Sequence, residues 1–190
     1  MPGEPSIGWS DDIECDGGQL LVANVDDFAH WPGASRSLAS PGYDSVHGFG
    51  GGRTCYLWNA VPGSVRITAD SARTSLCLVQ VDYAQDEAGR GAAHAFALAY
   101  QSGAATGGLS YCVSAGPVIV ACARSSARAT STAIEQLPLS GATPGALVDF
   151  SDGSNAAALW LAPGRYTSSL FYHEEDRWGV SWCRLRRTSS

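Results

Sequence analysis

Gly17-Gly18-Gln19-Leu20-Leu21-Val22-Ala23-Asn24 has a counterpart in Ala115-Gly116-Pro117-Val118-Ile119-Val120-Ala121-Cys122, and the fold reading turns on that recurrence. In both copies a small-residue lead-in opens a short apolar run, the signature of a buried strand. Further along, Leu57-Trp58-Asn59-Ala60-Val61-Pro62-Gly63 answers to Leu159-Trp160-Leu161-Ala162-Pro163-Gly164. Asp82-Tyr83-Ala84-Gln85-Asp86-Glu87 then answers to Phe171-Tyr172-His173-Glu174-Glu175-Asp176. A pattern met twice in one chain predicts two similar units that bury their faces against each other. On this alignment Trp58 and Trp160 are equivalent core positions, and Tyr83 and Tyr172 are scaffold.

Working outward, the periodicities read mainly as strand. Leu20–Val25, Thr54–Val61, Val65–Thr68 and Leu76–Tyr83 are the strands expected of the first half. Val118–Ala123, Ala146–Phe150, Ala156–Ala162, Tyr166–His173 and Gly179–Arg186 are those of the second, with a hairpin loop over Glu174–Gly179. Leu76–Tyr83 is apolar almost without interruption and should lie centrally in its sheet. Val25–Trp31 allows one helical turn and Ala127–Leu137 a longer helix. Ala93–Tyr100 is open, because its alanines suit a helix while the matching Gly179–Arg186 alternates as strand.

The fold class is therefore mainly β. Two related halves, 1–102 and 111–190, are joined by a linker over 103–110 and pack as one sandwich-like unit with one or two short helices. An α+β arrangement is the alternative. The spacing from Pro62 to Tyr83 exceeds that from Pro163 to Tyr172, which puts an insert near 69–75 in the first half.

With 45% hydrophobic and 16% charged residues, this chain of 190 residues is globular. The opening Met1-Pro2-Gly3-Glu4-Pro5-Ser6 lacks the basic and apolar regions of a signal peptide, so a cytoplasmic location is expected. In a reducing compartment most of the six cysteines should then be free and buried; their even number leaves a disulfide framework open. All twelve basic residues are arginine, and the net charge is −6. Twelve acidic residues face five arginines in 1–90, whereas six face seven in 91–190. An acidic first half argues against nucleic acid and steers toward a basic partner.

No local constellation advertises catalysis. His30, His47, His94 and His173 are scattered without metal-ligand spacing, and no GxSxG occurs. Gly48-Phe49-Gly50-Gly51-Gly52-Arg53 lacks the Lys-Ser/Thr of a phosphate loop and reads as a hairpin. We therefore expect no catalytic, cofactor or metal residues. The residues singled out for partner binding are Asp11, Asp12, Glu14, Asp26, Asp27, Trp31, Asp44 and Phe49, where carboxylates lie beside aromatic anchors.

Glu14-Cys15-Asp16-Gly17-Gly18-Gln19-Leu20-Leu21-Val22, then Trp31-Pro32-Gly33 and Tyr43-Asp44, resembles the bacterial polymorphic-toxin immunity proteins grouped as immunity protein family 21. Gln19 stands where that pattern has proline, and Tyr43-Asp44 matches its aspartate-tyrosine element only approximately. The resemblance spans about the first ninety residues. It implies a protein that caps a cognate toxin, a nuclease being one such target, without cofactor, membrane or nucleic-acid partner. A monomer is favoured, since two similar halves satisfy each other. The alternatives are a non-catalytic β-rich binding module working through Trp9, Trp31 and Trp178, and a hydrolase whose groups meet only in the fold.

Overall fold

The computed structural model describes residues 10, 12–15, 19–33, 44–59, 63–100, 108–124, 147–149 and 155–188. The first half supplies β1 (Ile13–Cys15), β2 (Leu20–Asn24), α1 (Val25–Phe28), β3 (Asp44–Phe49), β4 (Arg53–Trp58), β5 (Gly63–Ala69), β6 (Ser75–Ala84) and α2 (Glu87–Ala99). The second supplies β7 (Ser110–Val113), β8 (Pro117–Cys122), β9 (Leu147–Asp149), β10 (Asn155–Trp160), β11 (Gly164–Glu175) and β12 (Trp178–Arg187). They form two antiparallel six-stranded sheets, ordered β1-β5-β6-β12-β11-β7 and β3-β4-β2-β8-β10-β9.

Each order reads the same from both ends once β1 is matched with β7, β2 with β8, and so on to β6 with β12. Neither sheet belongs to one half. The halves meet along two central pairings, β6 with β12 and β2 with β8. In the second pairing Val22 sits opposite Val120, so the quoted β2 and β8 sequences match residue for residue about a pseudo-two-fold axis.

The tryptophan match is one residue out. Tyr56 lies opposite Val22 and Ala157 opposite Val120, which makes Leu159, not Trp160, the equivalent of Trp58. A strand turns successive side chains to opposite faces, so a slip of one changes the side. Trp58 and Leu159 enter the core between the sheets, while Trp160 is half-buried on the other face. Tyr83 and Tyr172 are not equivalent either, since they lie on β6 and β11. The Pro-Gly match does hold. Gly63 and Gly164 open the corresponding β5 and β11, both at φ 150°, where side chains are disfavoured.

Between the sheets lie Leu20, Tyr56, Ile67, Leu78, Tyr111, Val120, Tyr166 and Leu185, all buried. The outer face of the β2 sheet is covered by Phe28 and Trp31, and that of the β6 sheet by α2 through Ala93 and Ala97. The open segment 93–100 is therefore helical as far as Ala99. Asp86 caps α2 by accepting from the Gly89 amide at 2.8 Å. At the other end the buried Arg184 of β12 donates to the carbonyls of Ala97 and Tyr100, each at 2.8 Å.

The expected insert is a turn. Asp70 accepts from the Thr74 amide and hydroxyl, both at 2.6 Å, and closes the β5–β6 hairpin. The helix expected over Ala127–Leu137 lies outside the described residues. Among the described residues no helix is long and apolar enough to cross a membrane.

Candidate binding face

The residues singled out in the sequence do not converge on one surface. Asp12 pairs with Arg66 at 2.8 Å, and Glu14 is exposed on the edge strand β1, its amide donating to Asn155. Asp26 is exposed on α1, whereas Asp27 accepts from the Asn24 side chain at 3.2 Å. Trp31 is a correction. Instead of anchoring a partner it is 2% exposed, packs edge-on to Phe49 with ring centroids 5.1 Å apart, and donates its indole N–H to Ala123 at 2.9 Å. Phe49 is half-buried in the same cluster. Asp44 is occupied within the sandwich: it accepts from Tyr56 at 2.9 Å and from Ser168 at 2.7 Å, tying β3 to β11 across the two sheets. Asp11 and Trp9 lie outside the described residues.

Cysteine and histidine chemistry is subdued. Cys55, Cys77, Cys112 and Cys183 are free thiols. Burial pushes Cys55 up to about 12, with the nearby Asp27 adding to it, and burial raises Cys77 and Cys183 as well. Thiols so raised are poor nucleophiles. The Cys55 thiol faces the carbonyl of His47, not its ring. Among the described residues no group of three His, Cys, Asp or Glu side chains is arranged to hold a metal.

The most organised exposed chemistry lies at the far end of the β6–β12–β11 ribbon. These strands run 10, 10 and 12 residues, against 5 and 6 for the β2 and β8 strands facing them. The face of the ribbon that forms the core at Leu78, Leu170 and Cys183 therefore continues past the opposite sheet. There it carries Tyr83, 40% exposed, and Tyr172, 61% exposed.

Their hydroxyls converge on one carboxylate. The Tyr83 hydroxyl is shared between Glu174 Oε1 at 3.0 Å and the Glu175 carbonyl at 2.8 Å, and Tyr172 donates to Glu174 Oε2 at 2.8 Å. These bonds, that of Tyr172 foremost, hold the Glu174 pKa below its ordinary value and keep it ionised. Asp82 stands nearby; burial raises its pKa, opposed by a 2.7 Å hydrogen bond from Ser181. Gly179 gives the Tyr83 ring its place, because a Cβ there would stand 2.5 Å from a ring carbon.

The opposite face of the same hairpin is braced. His173 stacks on Phe96 of α2 with centroids 4.1 Å apart and meets Glu175 at 2.9 Å. Trp178, one of the expected surface tryptophans, is half-buried against Phe96 at 5.5 Å. At the base Arg177 pairs with Asp86, which also caps α2.

In the sequence Tyr83 and Tyr172 stand among acidic neighbours but read as scaffold. The available signal was the acids themselves, since a core tyrosine seldom stands next to carboxylates.

Fold and site together define a mainly β, two-sheet protein with an acidic, tyrosine-bearing ribbon end. No family model, curated protein or solved structure matches the chain.

Proposed function

We propose that the protein is a bacterial immunity protein that binds a cognate toxin and neutralises it by covering the toxin's active site. The observation that carries this reading is the ribbon end, where exposed tyrosines and carboxylates are held in fixed geometry before any partner arrives. Tyrosine supplies contact area at low entropic cost, and carboxylates steer a basic partner and reject acidic ones. The net charge of −6 acts in the same direction. The resemblance of Glu14–Val22 and Trp31–Gly33 to immunity protein family 21 gives the reading its particular form. A cytoplasmic site of action and, if the toxin is a nuclease, mimicry of substrate phosphates by Glu174 and Asp82 belong to the same proposal.

Co-expression with the toxin encoded beside it tests the reading. Restored growth and a complex isolated from the two pure proteins are the expected results; neither rescue nor complex would refute it.

A further inference from the structure

We infer that the ribbon end recognises an arginine side chain on a protein partner, with Tyr83, Tyr172 and Glu174 as the reading residues. This rests on the proposed binding role and names the group that such a partner must present.

The surface is a continuation of the core-forming side of a sheet, left without its opposing sheet, so it offers flat aromatic area in place of a purely solvated edge. Its charge narrows the occupant. Asp82 and Glu174 lie among the tyrosines, whereas Glu175 is turned to the opposite face, where it meets His173. The nearby cation, Arg177, already pairs with Asp86. An acidic segment would set its charge against Asp82 and Glu174, whose hydrogen-bond partners are neutral hydroxyls, whereas a cation would be drawn to them.

Geometry then separates arginine from lysine. Tyr172 donates to Glu174 Oε2, and the Tyr83 hydroxyl, shared between Glu174 Oε1 and the Glu175 carbonyl, stands at the other oxygen; the carboxylate is held from both sides and both oxygens remain able to accept again. A fixed carboxylate suits the planar, two-pronged guanidinium, and the exposed Tyr83 and Tyr172 are aromatic neighbours of a kind that attracts it. Lysine, a hydrated point charge, uses neither feature fully. The bulk of Gly179 matters here as well. Any larger residue would displace the Tyr83 ring from its seat beside Glu174.

The test is an NMR titration of the full-length protein with the acetylated, amidated tripeptides Gly-Arg-Gly, Gly-Lys-Gly and Gly-citrulline-Gly. The arginine peptide should shift signals at Tyr83, Tyr172, Glu174 and Gly179. It should bind about fivefold more tightly than the lysine peptide, with no saturable shifts from citrulline. Glu174→Gln should weaken the arginine peptide about tenfold, and Tyr172→Phe should reduce the preference over lysine. Both changes are at exposed positions, and unchanged spectra elsewhere would report an intact fold. Equal binding of the arginine and lysine peptides, or shifts centred elsewhere, would overturn the inference. Toxin rescue retained in a Tyr172→Ala/Glu174→Gln variant would also overturn it while leaving the immunity reading standing. Selective arginine binding without any rescue would retain the site and remove the immunity reading.

Discussion

Trp31 illustrates how a single side chain changes role once its surroundings are known. In the sequence it stands near acids and before Pro32-Gly33, a setting that suits a surface anchor. In the fold it closes the outer layer of the β2 sheet beside Phe28, Cys55 and Leu57, and its indole N–H is spent on Ala123. Removing it opens a cavity and strands a buried acceptor. Trp31→Ala should therefore lower stability by about 3 to 5 kcal/mol in urea unfolding, with partner affinity unchanged at saturating folded protein. A loss of affinity without a loss of stability would return Trp31 to the interface. Tyr172 is the converse case. It reads in the sequence as scaffold despite its acidic neighbours, and only the pairing of β11 with β12 and of β12 with β6 brings it to Tyr83. No spacing in the sequence encodes that meeting.

Among the elements, the strands with one strong pattern were legible. β2, β8, β6 and the β11–β12 hairpin follow from apolar runs and Pro-Gly punctuation. The edge strands β1 and β3 were not, since Asp44-Ser45-Val46-His47-Gly48-Phe49 carries too little apolar contrast to fix a face. α2 was half-legible. Gly89 and Gly91 dilute its helical propensity, although Asp86 as cap and Glu87 in the first turn mark its start.

The attachment of α2 also carries a pH dependence. His94 is buried on α2, and burial, then the neighbouring charge of Arg66, lowers its pKa; a hydrogen bond that its ring donates to the Arg90 carbonyl and the Asp12 carboxylate act the other way. Above the ordinary histidine value of about 6.5 both folded and unfolded chains are neutral at this site and stability is full. As pH falls below it, the unfolded chain takes up a proton that the folded one resists, and stability declines. The urea midpoint should fall between pH 7.5 and pH 5, and His94→Gln should flatten that fall. An unchanged slope in the variant would show that His94 does not contribute.

For the molecule as a whole, the sequence repeat and the strand order express one symmetry, but the repeat does not divide the chain into separable units. Each half contributes three strands to each sheet, and β6–β12 and β2–β8 join the halves through the centre of both. An isolated half would expose the inner faces of two three-stranded sheets and two central edges, one of them 10 residues long. Residues 1–107 and 108–190, produced separately, should each lack a cooperative unfolding transition and should gain one on mixing. Cooperative folding of either fragment alone would contradict this account. The same symmetry explains where function can sit. Its central pairings are core, whereas the ribbon end draws Asp82 and Tyr83 from one half and Tyr172 and Glu174 from the other. Charge counted along the sequence placed the acidic face in the first half. Folding assembles the face from both.

The central claim is that partner binding runs through this ribbon end. Its most direct test is the affinity of the purified protein for the proposed cognate toxin, measured by calorimetry for the wild type and for Tyr172→Ala/Glu174→Gln. The account predicts a loss of about a hundredfold or more with the urea midpoint unchanged, as expected for hot-spot residues at the centre of an interface. Equal affinity of the two proteins would contradict it.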